Sequence, residues 1–258
     1  MPQCIDKQLL CRQFQRAANS YEQQALIQQR TAEHLLDLLA QHGGTTPPQR
    51  VLEIGCCTGL LTRRLIERVK GMKELVLNDI VPDFAARMNI AALAPSIRLL
   101  PGDIENLPLP GTFNLIISSS TFHWLHDLDH LLAQLAVALE PSGTLAFSLY
   151  GPDNLREIDE LTGIGLEYLS LPEIETIVRR HFKLLHSSSQ QEILYFTSPQ
   201  EVLHHLRQTG VNAINRSPWS RTRLQHFSAE YRQRFSTASG VSLTYQPLYF
   251  VARSTHHR

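Results

Sequence analysis

The chain has 258 residues, 43% of them hydrophobic and 19% charged, and its 24 basic and 24 acidic residues cancel to a net charge of zero. Such a chain has ample material for a globular core, and no apolar run reaches the roughly 18 residues of a membrane span. The opening MPQCIDKQLL has no secretory h-region, and Cys4, Cys11, Cys56 and Cys57 form neither a C-x-x-C pair nor a zinc spacing; a reduced, cytoplasmic protein with no metal site is expected.

In chain order, residues 4–42 read as helical, with Leu35, Leu36, Leu38 and Leu39 apolar, until GGTTPP at 43–48 ends the run. The next stretch, VLEIGCCTG at 51–59, is a short apolar run, then an acid, then a glycine-bearing turn. It reads as a buried strand stopping in a tight loop. Gly55 and Gly59 leave room for a ligand to approach the backbone. Residues 58–68 then read as a helix with Leu60, Leu61, Leu65 and Ile66 on one face. A loop between strand and helix start is where nucleotide-type cofactors bind in open α/β sheets. The dinucleotide pattern G-x-G-x-x-G is not met, because Cys57 stands where its second glycine would fall. An ordinary strand–turn–helix corner is the bland alternative.

Four more strands follow. Residues 74–79 end in Asp79, about twenty residues after the loop, where a carboxylate can take both ribose hydroxyls. Residues 97–105 carry Asp103 and Ile104 at their carboxyl end. Residues 113–118 end at Ser118 and run into STFHWL at 120–125, and residues 143–149 form the fifth strand. Taken singly, Asp79 or Asp103 could equally be a helix N-cap. An amphipathic helix is expected at 127–139, closed by Pro141 and Gly143, and a short one at 172–180. Strand pieces are expected at 182–186 and 192–196. Ser198 caps a helix running to about Thr209, and another covers 228–236. Residues 241–252 close the chain as a final strand interrupted near Gln246-Pro247. Strand–helix alternation implies a doubly wound sheet with right-handed crossovers.

The charge is uneven. Residues 204–258 hold eight arginines (Arg207, Arg216, Arg221, Arg223, Arg232, Arg234, Arg253, Arg258) against Glu230, a net +7. The first 203 residues hold 16 basic and 23 acidic residues, a net −7. A basic quarter suggests an acidic partner, or a solvated face without one.

Glu53, Gly55, Cys57 and Gly59 resemble the first motif of class I S-adenosylmethionine-dependent methyltransferases, E/D-x-G-x-G-x-G, with Cys57 in place of the middle glycine. The resemblance implies a Rossmann-like α/β fold with a doubly wound, mostly parallel seven-stranded sheet, an N-terminal helical segment and a helical lid insertion. It sets one domain over 1–258, with a helical cap at 1–48, a cofactor core at 49–150 and a lid at 198–240. It implies S-adenosylmethionine as cofactor, bound by Glu53, Gly55, Cys57, Gly59, Asp79, Ile80, Asp103, Ile104 and Ser118, with Asp103 on the adenine amino group and Ile104 against the ring.

No N/D-P-P-Y follows the fourth strand, which argues against amide and exocyclic-amine methylation. The segments FQRAANSY (14–21), STFHWL (120–125), FSLYGPDNLRE (147–157), VLHHLRQTGV (202–211) and YQPLYF (245–250) resemble the malonyl-acyl-carrier-protein O-methyltransferases of biotin synthesis over nearly the whole chain. That resemblance implies methylation of a malonyl carboxylate and an acidic acyl carrier protein as partner, docked on the basic C-terminal quarter, with no nucleic acid or membrane. A carboxylate is ionised at neutral pH and needs no general base; it needs a cation to hold it, and arginine does so bidentately. Arg156 is the first choice, with Tyr21 and His123 as hydrogen-bond donors near the acceptor. Each has a structural alternative: a surface arginine, a packing tyrosine, a core histidine. The rival functions are methylation of a free small-molecule carboxylate or quinone precursor, nucleic-acid methylation through the basic tail, and cofactor binding without turnover.

Overall fold

The computed structural model describes residues 5–18, 20–88, 96–210 and 220–255. In chain order the elements are α1 (Lys7–Ala17), α2 (Tyr21–Gln24), α3 (Leu26–His42), β1 (Arg50–Ile54), α4 (Leu60–Arg68), β2 (Glu74–Asp79), α5 (Pro82–Arg87), β3 (Ile97–Pro101), β4 (Phe113–Ser118), α6 (Leu128–Ala138), β5 (Leu139–Tyr150), α7 (Arg156–Thr162), α8 (Leu171–His181), β6 (Phe182–Ser189), β7 (Glu192–Phe196), α9 (Pro199–Gln208), α10 (Arg221–Phe235), β8 (Ser236–Thr237), β9 (Gly240–Tyr245) and β10 (Pro247–Ser254). They form two compact units. The larger comprises Leu26–Leu149, Leu169–Ser189 and Leu248–Arg258; the smaller comprises Met1–Ala25, Tyr150–Tyr168 and Gln190–Pro247.

The larger unit is built on a seven-stranded sheet in the order β3-β2-β1-β4-β5-β10-β6. The pairs β3–β2, β2–β1, β1–β4 and β4–β5 are parallel, and β10 runs antiparallel to β6. This is the expected doubly wound α/β sheet. Alternation along each strand feeds two cores, as a sheet covered on both faces requires. Leu52, Ile54, Val76 and Ile116 pack with Leu131, Leu135 and Val178 of α6 and α8 on one face. Val51, Leu75, Leu77, Leu115 and Ile117 pack with Leu35, Leu61 and Leu65 of α3 and α4 on the other. The period-2 pattern therefore sends neighbouring residues of one strand to different helices.

The smaller unit gathers helices from both ends of the chain around an antiparallel sheet, β7-β9-β8. Phe14 of α1 packs against Gly210, where a Cβ would come within 3.1 Å of its ring, and Ser20 Oγ donates to Gln208 O. The predicted final strand at 241–252 is corrected here: Gln246 separates two strands, β9 pairing with β7 and β8, and β10 pairing in the large sheet. The helix expected at 228–236 begins seven residues earlier, at Arg221, with Ser220 Oγ capping Arg223 N at 3.2 Å. Pro141 and Gly143 do not close a helix. The helix stops at Ala138, and the strand starts at once, with its register shifted beside Phe113 and Leu115. The expected lid at 198–240 falls in the smaller unit, and its residues 211–219 lie outside the described residues.

Candidate cofactor and acceptor site

At the carboxyl end of β1 the chain turns through three left-handed residues, Gly55 (φ 74°), Cys57 (φ 46°) and Gly59 (φ 92°), and Gly59 caps α4. Gly55 and Cys56 N–H both donate to Asn78 O on β2, at 2.9 and 3.0 Å, and Gly59 N–H closes the turn on Cys56 O. The bareness of the two glycines also has a cause within the chain itself. A Cβ on Gly55 would stand 2.1 Å from Thr121 Oγ1, and one on Gly59 2.3 Å from Met88 Sδ. The chain's own side chains fill that space, so the glycines serve the packing of the loop. Cys57 has no such excuse for its conformation. A non-glycine residue in this region costs on the order of 1–2 kcal/mol, and its N–H is held by Asp79 Oδ2 at 2.8 Å.

Asp79 is 7% exposed, and its other oxygen accepts Val81 N–H at 2.8 Å. Burial pushes its carboxyl up to about 6, against the pull of these two N–H groups. Asn78 reaches sideways, donating to Leu100 O and Gly102 O, and Gly102 N–H returns to Asp79 O. These bonds fix the end of β3 beside β2. Asp103 then caps the short 3₁₀ turn Ile104–Asn106, accepting from Glu105 N and Asn106 Nδ2. Its carboxylate therefore fills the N-cap role foreseen as the alternative, while remaining half-buried at the strand ends. Ile104 is buried in the core cluster, and Ile80 is half-buried. Ser118 is wholly buried and donates to Ile54 O at 2.9 Å. Its hydroxyl ties β4 to β1 beneath the loop.

Glu53 is 0% exposed. Thr62 Oγ1 of α4 donates to its Oε1 at 3.0 Å, and burial lifts the carboxyl to about 8, so it is mostly protonated at neutral pH. Glu53 Oε2 and Thr58 Oγ1 are both buried with no hydrogen-bond partner among the described residues. An unsatisfied buried polar atom costs about 1–3 kcal/mol. Two such atoms at one loop fit a polar ligand whose donors and acceptors complete them.

The three predicted acceptor residues divide between the units. His123 belongs to the larger one, in the 3₁₀ turn Phe122–Trp124, its ring 4.9 Å from that of Trp124. Burial pushes its imidazole down to about 3, so it is neutral at any working pH. Tyr21 and Arg156 belong to the smaller unit. Tyr21 opens α2, is 8% exposed, and its ring lies 6.2 Å from that of Phe14. Arg156 opens α7, is exposed, and makes no ion pair or side-chain hydrogen bond among the described residues. It follows Leu155, a left-handed leucine at φ 56°.

Sequence reasoning missed what holds that corner. Leu155 N–H donates to Thr244 O at 2.7 Å. Glu157, 0% exposed, accepts from Thr244 N, Thr244 Oγ1 and Ser242 Oγ at 2.9, 2.7 and 3.1 Å. The residues on both sides of Arg156 are thus anchored to β9. No local pattern marks Glu157, because its partners lie 85 and 87 residues away. Around it, His205 Nε2 meets Tyr245 OH at 2.9 Å, and Asn154 Nδ2 donates to Tyr168 OH at 2.8 Å.

The chain is similar to known proteins at two levels. The profile of a family described as "Methyltransferase domain" matches residues 51–143. A malonyl-[acyl-carrier protein] O-methyltransferase of Chlorobium phaeovibrioides is 41% identical, covering 96% of each chain; one of Calditerrivibrio nitroreducens is 38% identical, over 92% of this chain and 93% of the relative. A third, of Porphyromonas gingivalis, is 37% identical over 96% of each. Among solved structures, a putative methyltransferase of Bacillus halodurans matches with a TM-score of 0.62 at 13% identity, over 86% of this chain and 99% of that one. The N-methyltransferase NodS of Bradyrhizobium japonicum, in complex with S-adenosyl-L-homocysteine, matches at 0.51 and 14%, over 92% and 100%. These distant structures speak for the fold alone.

Proposed function

The chain belongs to the malonyl-[acyl-carrier protein] O-methyltransferase family, and from that membership we propose that it methylates the free carboxylate of a malonyl thioester carried by acyl carrier protein, at the start of pimeloyl and biotin synthesis. It is an S-adenosylmethionine-dependent O-methyltransferase. Bound, S-adenosylmethionine supplies an electrophilic methyl group on a sulfonium. The observation that carries the reading is near full-length similarity to these relatives, combined with an Arg156 that has no ion pair among the described residues, on a strained, doubly anchored corner.

The residues divide the work as follows. Asp79 takes the ribose hydroxyls, Asp103 and Ile104 the adenine, and the loop from Gly55 to Gly59, including Cys57, the methionine portion. Glu53 Oε2 and Thr58 Oγ1 offer there two polar atoms without a hydrogen-bond partner among the described residues. Ile80 flanks the ribose acid, and Ser118 supports the loop through Ile54 O. Arg156 grips the malonyl carboxylate as a fork, and Tyr21 and neutral His123 donate hydrogen bonds around it. The carboxylate is already ionised, so the protein's contribution is orientation of one oxygen towards the methyl group. A cytoplasmic setting suits Cys11, Cys56 and Cys57, which form no disulfide among the described residues.

The exposed arginines of the smaller unit, Arg207, Arg221, Arg223 and Arg232, are the proposed dock for an acidic carrier protein. Arg234 is paired with Glu160, and Arg253 lies on β10 of the larger unit. Arg216 and Arg258 lie outside the described residues. The test compares malonyl-acyl carrier protein, malonyl-CoA and free malonate with labelled cofactor. The carrier-bound substrate is expected to be used best. Arg156→Ala should lose turnover while keeping cofactor affinity, and lysine should restore it only in part. Reversing Arg221 and Arg223 to Glu should raise KM for the carrier-bound substrate, most at low salt. Wild-type turnover in Arg156→Ala would move the carboxylate grip to another cation.

A further inference from the structure

The larger unit holds a cavity of about 840 Å³ at the amino-terminal ends of β4 and β5, away from the cofactor loop at the carboxyl end of β1. The end of α3, the 43–48 loop and residues 140–144 wall it. Its size is that of a pocket for a small-molecule ligand.

Its chemistry is one-sided. Arg253, half-buried on β10, lines it; the guanidinium makes no hydrogen bond or ion pair among the described residues, and its Nε is closed off from water. Lys183 stands opposite Arg253 in the β10–β6 register, so a second cation raises the local potential. Lys70 also lines the cavity without an ion pair among the described residues. Thr144, 5% exposed, lines it with a hydroxyl that makes no hydrogen bond among them. Acceptors are already taken. Both oxygens of Glu140 are engaged, by Asn114 Nδ2 at 2.7 Å and Thr112 Oγ1 at 3.3 Å. Arg68, also in the lining, is paired with Asp37. Ser142 sits in the wall at φ 63°, a left-handed conformation that a serine keeps only where its surroundings demand it.

Unpaired donors facing a cavity whose carboxylate is already bonded select an anion with several oxygens. We propose that this cavity is a second ligand site, which takes a small phosphate- or carboxylate-bearing molecule through the fork of Arg253, supported by Lys70 and Thr144. It is independent of the methyl-transfer reading. A guanidinium binds either group with two parallel bonds.

The test titrates the full chain, saturated with S-adenosylhomocysteine, with pyrophosphate or citrate at constant ionic strength, by calorimetry and thermal melting, with sodium chloride as control. Saturable binding of at least one anion is expected; pyrophosphate alone would assign a phosphate ligand, and citrate alone a carboxylate. Arg253→Met should weaken that binding about tenfold or more, and Lys70→Glu should weaken it as well, while Arg221→Gln should leave it unchanged. Should Arg253→Met fail to fold, Lys70→Glu, on the surface, decides. Absence of saturable binding, undiminished binding in Lys70→Glu, or loss in Arg221→Gln would overturn the proposal.

Discussion

Cys57 in the larger unit and Leu155 in the smaller one are the same device in two settings. Each is a left-handed non-glycine residue whose N–H is tied down, to Asp79 Oδ2 in one case and Thr244 O in the other. Each lies beside a residue proposed for function. They differ in reach. The loop after β1 is braced by contacts 9 and 22 residues away, Thr62 to Glu53 and Cys57 to Asp79. The Arg156 corner is braced across 85 and 87 residues, through Glu157. A strained turn can therefore be secured by its own motif or by a distant strand, and only the first kind leaves a local mark in the sequence.

Removing the braces tests this comparison. Glu157→Ala strands three donors in a buried site and is expected to cost about 3 kcal/mol or more in urea unfolding. Glu157→Gln should recover part, since its amide oxygen still accepts. A cost below about 1 kcal/mol would show that the corner is not held by this carboxylate.

Asp79→Ala comes next. Losing a charge-assisted bond to a hydroxyl pair should weaken cofactor binding about 10- to 150-fold, or roughly 1.5–3 kcal/mol, by calorimetry. The pH dependence sharpens the point. The folded-state pKa is raised, from 3.8 to about 6, so folding favours the neutral carboxyl. Its contribution to folding stability is full below about pH 4 and is lost as pH rises through 6. Cofactor affinity should run the other way, level above pH 7 and falling as pH drops through 6, when the acceptor carboxylate is protonated. A profile that is flat, or that survives in Asp79→Asn, would remove Asp79 from the ribose.

The smallest effect is expected at Cys57. Cys57→Gly relieves the left-handed strain but loosens the unfolded chain, for a net gain of up to about 1 kcal/mol in stability, and cofactor affinity should be equal or better. A marked loss of affinity would assign the thiol a positive role.

The strand ends of the larger unit were legible in sequence because each strand there carries its own message. A buried strand ending in Glu53 and Gly55, a second ending in Asp79 and a third leading to Asp103 are local patterns, and the parallel sheet merely lines them up. In the smaller unit β7 at Glu192–Phe196 and α9 with its Ser198 cap were legible, and the rest was not for physical reasons. β9 and β10 share one apolar run, and their partners, distant in sequence, decide which sheet each joins. α10, RTRLQHFSAEYRQRF, buries only Phe227, Ser228 and Tyr231, too thin a stripe to mark where the helix starts, although Ser220 was an available cap. Glu157 resembles any exposed helix acid until Ser242 and Thr244 are placed beside it. The two glycines were found for an incomplete reason, since Thr121 and Met88 occupy the space they leave.

The order in which the smaller unit draws on the chain also bears on how the protein emerges from the ribosome. Ser20 waits for Gln208, 188 residues later, and Phe14 for Gly210. Strands β1 to β5 are complete by residue 150, whereas α1 and α2 must remain uncovered through most of synthesis. Contacts of such sequence separation close late and slowly. An amphipathic first helix held open that long is a natural handle for chaperones, and for self-association when they are scarce. A truncated chain ending before α9 would carry Leu10, Ala17 and Tyr21 without the elements that complete their unit.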